Sequence, residues 1–126
     1  MSVELKQIEF NSQRQVFSYQ IIADGQKVGL AQLRLKPSKG ADMPKGFASH
    51  VYYEVDPALR GRNYATQALA ELKKLAAQHQ LDHLVLTANA ENAASIKVIS
   101  KNGGQLAAQG TTKNGQKVLK YTLKIT

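Results

Sequence analysis

Across Asp56-Pro57 the spacing of apolar residues changes from two to about 3.6, and that switch constrains this 126-residue chain more than any other feature. The regular segments upstream read as strands. Gln15 to Ile22 alternates, with Phe17, Tyr19 and Ile21 on one face. Asp24-Gly25 follows, and both residues tolerate the positive φ of a tight hairpin turn. The returning strand is Lys27 to Leu35, with Pro37 marking its end. His50 to Val55 is a third strand, and Val3 to Phe10 forms another. Lys39 to Phe47, rich in Gly, Pro and Lys, reads as a mobile loop.

Downstream, Ala65, Ala68, Leu69, Leu72, Leu75 and Ala76 recur at helical spacing, while Gln67, Glu71, Lys74 and Gln78 face outward. Leu84-Val85-Leu86 is a short apolar strand. Asn92 suits the cap of a second helix that buries Ile96 and Ile99 and stops at Gly103. Two strands around Asn114-Gly115 close the chain; the last turns Leu119, Tyr121, Leu123 and Ile125 inward and Lys120, Thr122 and Lys124 outward. The pattern predicts one mixed α+β domain over residues 1–126, built on a largely antiparallel sheet.

Composition narrows the function. Hydrophobic residues make up 43% of the chain and charged residues 21%, the balance of a globular protein. No apolar run approaches the ~18 residues of a membrane span, and the first residues lack the apolar core of a signal peptide. The absence of cysteine excludes disulfides, thiolate ligands and a Cys nucleophile, and fits a cytoplasmic protein. Of the three histidines, His79 and His83 lack metal-ligand spacing, so no metal is expected. Seventeen Lys and Arg against nine Asp and Glu leave +8, which favours nucleic acid, an anionic membrane or a phosphorylated small molecule.

The chemistry concentrates between Tyr53 and Leu69. A strand ends at a proline, and the turn Arg60-Gly61-Arg62-Asn63 opens directly into a helix, with no Asp or Glu between Asp56 and Glu71. The first N–H groups of a helix lack internal partners and sit at the positive end of its dipole, so this arrangement suits an anion such as a phosphate. A helix terminus supplies about 0.3–1 kcal/mol, whereas micromolar affinity requires about 8 kcal/mol. Convergent amides, the arginines and an apolar groove must share the work. Solvated arginines are the plain alternative.

This stretch, followed by Leu84 to Asn89 and by Asn92-Ala93-Ala94-Ser95-Ile96-Lys97-Val98-Ile99 to Gly104, resembles the GNAT N-acetyltransferase family, in its branch of bacterial ribosomal-protein and small-amine acetyltransferases. The resemblance covers roughly residues 28–110. It implies a mostly antiparallel mixed sheet, splayed between the strand ending at Val55 and the Leu84–Leu86 strand, and flanked by helices. It further implies acetyl-CoA as co-substrate. The family's signature (Arg or Gln, two residues, Gly, one residue, Gly or Ala) falls on Arg60, Asn63 and Ala65. By resemblance, Arg60, Gly61, Arg62, Asn63, Tyr64 and Ala65 cradle the CoA pyrophosphate. Backbone groups near Tyr53 and Val55 meet the pantetheine arm, and Asn92 contacts the cofactor or serves as a plain helix cap. Asn63 departs from the usual glycine, though Asn visits left-handed conformations readily.

Acetyl transfer to an amine needs a neutral nitrogen, and a lysine-like amine is neutral in only about one molecule in 2,500 at pH 7. Relatives place a proton acceptor on the strand that here spans Ser49 to Val55, where His50 and Glu54 are the candidates. Tyr52 shares their face by alternation, so the three are expected to line one pocket. A loop-edge histidine and a lysine-paired glutamate are the ordinary alternatives. Many family members carry a tyrosine seven residues after the helix-starting Asn; Ile99 stands there.

The favoured expectation is an enzyme that moves an acetyl group from acetyl-CoA directly to a primary amine of a small molecule or a peptide or protein terminus. The alternatives are a CoA-binding sensor of the same fold without transfer activity and a basic nucleic-acid-binding module. Against the last, helix-turn-helix, zinc and aromatic-sheet patterns are all missing. The acceptor and the choice between monomer and homodimer stay open, with Lys39–Phe47 expected to shape the acceptor pocket.

Overall fold

A computed structural model describes residues 3–125. Along the chain run β1 (Val3–Asn11), β2 (Val16–Ala23), β3 (Gln26–Ser38), β4 (Ser49–Val55), a single 3-10 turn (Pro57–Leu59), α1 (Tyr64–Gln78), β5 (His83–Asn89), α2 (Ala93–Lys101), β6 (Gln105–Thr111) and β7 (Lys117–Lys124). The strands form a four-stranded antiparallel sheet, β1-β2-β3-β4, and a three-stranded one, β5-β7-β6. No backbone ladder joins β4 to β5, so the splay lies between those two strands.

The hairpin between β2 and β3 turns on Asp24 at φ 51° and Gly25 at φ 76°, the conformation that this residue pair favours. β3 continues through Pro37 to Ser38, beyond the expected stop. Its pairing with β4 shifts between Leu33 and Ser38, so the missing proline N–H interrupts no regular ladder.

The core lies between the inner face of the larger sheet and α1. Ile21 and Leu33 from that sheet, Leu69 and Leu72 from α1, Leu84 and Leu86 from β5, Ile99 from α2 and Leu123 from β7 are the largest fully buried side chains. Helical spacing puts Ala68, Leu69, Leu72 and Ala76 on the buried face of α1, with Ala65 and Leu75 half-buried at its margin. Helix α2 ends as the sequence indicates: Gly103 takes φ 88°, and the Gly104 N–H donates to the Ile99 carbonyl at 2.9 Å. β7 is the middle strand of its sheet, so Lys120 and Thr122 are half covered.

The segment 39–47 is a loop, as its composition indicates, and it has anchors that composition does not reveal. Phe47 is buried and the Lys113 N–H donates to the Asp42 carbonyl at 3.0 Å. A Cβ at Gly110 would lie 2.9 Å from Pro44 Cγ and 3.0 Å from Phe47 Cζ. The loop leaves the larger sheet and seats on β6, and only glycine leaves room for that contact.

Candidate active site

The Arg60–Asn63 turn earns its shape from two left-handed residues. Gly61 sits at φ 83° and Asn63 at φ 67°, ψ 14°. Asparagine reaches this region at a small cost, so the turn survives without the glycine usual at that position. Asn63 is the N-cap of α1, and its carbonyl accepts the Gln67 N–H at 3.1 Å. Its side chain makes no capping bond; Oδ1 instead meets Lys101 Nζ at 3.4 Å. The Ala65 and Thr66 amides, one turn short of an internal acceptor, are left for an outside group.

Beyond this turn lies a cavity of about 490 Å³ between α1, α2 and the end of β4. Tyr53, Glu54, Val55, Arg60, Gly61, Asn63, Tyr64, Ala65 and Asn92 all line it. Arg62, expected in the cradle, is exposed and stands outside the lining. The Arg60 Nε folds back to donate to the Val55 carbonyl at 3.1 Å, tying the turn to the strand that precedes it. Asn92 Oδ1 accepts the Ser95 N–H at 3.1 Å, so it is a helix cap that also faces the cavity.

Lys97 and Lys101 were not singled out by sequence reasoning, yet both line the cavity. They stand four apart on α2 and so share one side of that helix. Their spacing was visible in the sequence; the packing that aims them was not. Asn102 Nδ2 donates to the Thr66 carbonyl and Lys73 Nζ to the Asn102 carbonyl, each at 3.1 Å, and these bonds lock α2 beside α1. Arg60, Lys97 and Lys101 therefore ring the helix start with positive charge.

Tyr53 is a third residue whose side chain went unnoticed. It points inward from β4, and its hydroxyl lies 3.3 Å from Ser95 Oγ within the cavity wall. Burial raises its pKa and the Ser95 contact opposes that rise, so the phenol stays protonated at neutral pH. Ile99, where a tyrosine is common in the family, is fully buried in the core and offers no proton.

The expectation that His50, Tyr52 and Glu54 line one pocket requires correction. Tyr52 and Glu54 do meet on the exposed face of β4, where the Tyr52 hydroxyl donates to Glu54 Oε2. That hydrogen bond is the largest cause of the raised Tyr52 pKa. His50 is 5% exposed and belongs elsewhere. Its Nδ1 accepts the Val85 N–H at 2.8 Å, which puts its proton on Nε2. Burial first, then His83 with its ring edge-on at 5.8 Å, holds the His50 imidazole below its usual pKa. One side chain thus spans β4 and β5 where a backbone ladder would otherwise run.

A family model for the GNAT acetyltransferase domain matches residues 3–105. The chain belongs to the GNAT acetyltransferase family. Comparison with curated proteins finds no match. Among solved structures, the chain is similar to a RimL ribosomal-protein alpha-N-acetyltransferase in complex with coenzyme A, at 19% identity and a TM-score of 0.67, covering 86% of this chain and 62% of that one. It is similar to aminoglycoside acetyltransferase AAC(6')-Ib in complex with coenzyme A, at 16% identity and a TM-score of 0.72, covering 90% and 68%. Mycobacterium smegmatis RimJ in complex with CoA-disulfide matches at 22% identity and a TM-score of 0.69, covering 86% and 53%. At these identities the likeness is one of fold. The GNAT chain described here spans 53% to 68% of the length of those proteins. None of its helices is long and apolar enough to cross a membrane, among the described residues.

Proposed function

We propose that this GNAT domain is an acetyl-CoA-dependent N-acetyltransferase, acting in the cytoplasm on a primary amine of a small molecule or a peptide terminus. The observation that carries the reading is the cation-ringed cavity at the start of α1, opened by left-handed Gly61 and Asn63 beside a β4 that has no ladder partner toward β5. A Cβ at Gly61 would touch nothing within 4 Å, so the approach to the turn is clear. In this reading the α1 amides with Arg60, Lys97 and Lys101 hold the pyrophosphate, while Tyr53, Val55 and Asn92 line the path of the pantetheine arm. Acetyl-CoA supplies the activated acetyl thioester.

The amine proton goes to Glu54, whose carboxylate is fixed by Tyr52 at the open end of β4. His50 serves as the link between the two sheets, since its Nδ1 lone pair is already committed to Val85. The Tyr53 hydroxyl, steadied by Ser95, stands on the cavity side from which a proton can reach the departing sulfur.

Acetyl-CoA should raise the melting temperature by mass action, and an acceptor panel should release free thiol. Glu54→Gln should cut turnover at least tenfold while that thermal shift is retained; undiminished turnover would remove Glu54 from the chemistry. Stabilisation by acetyl-CoA without thiol release over a broad panel would favour the sensor, a reading supported by Ile99 in place of a tyrosine.

A further inference from the structure

The larger sheet has a second face, turned away from α1. Pairing across β1, β2, β3 and β4 sets Glu9, Ser18, Gln32 and Tyr52 in one row on that face, with Asn11, Val16 and Arg34 in the next. A cavity of about 550 Å³ opens over these rows, separate in its lining from the one at the start of α1. Arg14, Arg34, Lys36 and Lys39 line it against a single carboxylate, Glu9. None of the four cations forms an ion pair among the described residues. Arg34 is half-buried, and among the described residues its guanidinium makes one hydrogen bond, a 3.5 Å contact with the neutral Gln32 Oε1. A guanidinium partly withdrawn from water with no anion beside it lacks its usual compensation.

The same face carries the Tyr52–Glu54 pair. Glu54 is opposite Leu30 on β3, and Arg34 lies four residues further along that strand. At ~3.3 Å per residue the Arg34 backbone lies roughly 13 Å along the strand from the position opposite Glu54. Leu30 and Tyr52, 40% and 41% exposed, cover the ground between them. An occupant of both ends must be extended and bear an amine at one end and negative charge three or four residues away.

We propose that the acceptor is a peptide amino terminus followed by acidic residues, laid across this face with its amine at Glu54 and its carboxylates in the Arg14–Arg34 cavity. This rests on the acetyltransferase reading for the amine's fate, but the binding claim stands without it. The chain's net charge of +8 serves selection here as well as retention of the nucleotide.

Three peptide amides that share their first two residues and carry Asp-Asp, Asn-Asn or Lys-Lys next would test it. Both kcat/KM by thiol release and affinity by calorimetry on CoA-loaded protein are measured. The Asp peptide should exceed the Asn peptide at least tenfold in both, and the Lys peptide should fall below either. In Arg34→Gln, and in the exposed-site variant Arg14→Gln, the Asp-to-Asn ratio should fall severalfold while the thermal shift with acetyl-CoA persists. Equal constants for the Asp and Asn peptides, or a ratio unchanged in both variants, would overturn the proposal. So would a single-stranded RNA oligonucleotide that binds this face while all three peptides stay unbound. Selective binding of the Asp peptide without thiol release would uphold the docking and sink the transferase reading alone.

Discussion

The two ends of the seam between β4 and β5 solve opposite problems. At the Ser49 end the strands are shut by His50, whose buried imidazole accepts the Val85 N–H. At the Val55 end they stand apart, and the neighbouring turn is exposed, polar and shaped by two left-handed residues. A regular ladder would have closed both. A single side-chain bond closes one end and leaves the other free to admit a ligand, so the opening is set by where the last contact falls and not by flexibility of the strands.

That contrast can be broken from either side. The largest effect is expected at Gly29, paired with Val55, where a Cβ would lie 2.1 Å from the Glu54 carbonyl oxygen. Gly29→Ala must push β4 away from β3, at a cost of about 3 kcal/mol in urea unfolding. It should also weaken acetyl-CoA binding, because the displaced segment leads into the cradle. His50→Ala comes next. It leaves the part-buried Val85 N–H without its acceptor, for a loss of about 2 kcal/mol by the same measurement.

Acidity probes the closed end more gently. His50 has a folded-state pKa below its unfolded value, so its neutral form is favoured in the native protein. Its contribution is full above the unfolded value of about 6.5 and is lost as pH falls from there through the folded pKa. Protonated Nδ1 can no longer accept the Val85 N–H. Stability should therefore decline below pH 6.5 by at most about 1.4 kcal/mol per pH unit, and His50→Asn should show a flatter profile over that range. The smallest effect belongs to the open end. Asn63→Gly keeps a φ of 67° accessible at no steric cost, so coenzyme A affinity measured by calorimetry should hold or tighten. A large loss there would contradict the role of the turn.

Local chemistry made much of this legible. The α1 face follows from helical period, the Asp24-Gly25 turn from its tolerance of positive φ, and the Gly103 stop from the same property. The left-handed Asn63 was equally accessible because its conformation depends on a few neighbouring residues. What escaped was non-local. Alternation along β4 correctly put His50 on the face of Tyr52 and Glu54, but only β5, 35 residues on, takes it out of their company. Lys97 and Lys101 look like solvated charges until α2 docks beside α1. The composition of 39–47 does not reveal its anchor because Phe47 meets its glycine notch on a distant strand.

The open stretch of the β4 rim has a further consequence. Val51 bonds Ser49 Oγ through both its N–H and its C=O, and the Val55 carbonyl is held by Arg60, which leaves the Tyr53 backbone between them with no strand toward β5. Such edge groups invite strand addition by any extended chain, including another molecule of the same protein. A pantetheine arm occupying the gap would block that route, so preparations stripped of nucleotide should self-associate sooner on warming or concentration than those kept with it. On the acetyltransferase reading, saturating acetyl-CoA would then guard against clumping besides supplying the acetyl group.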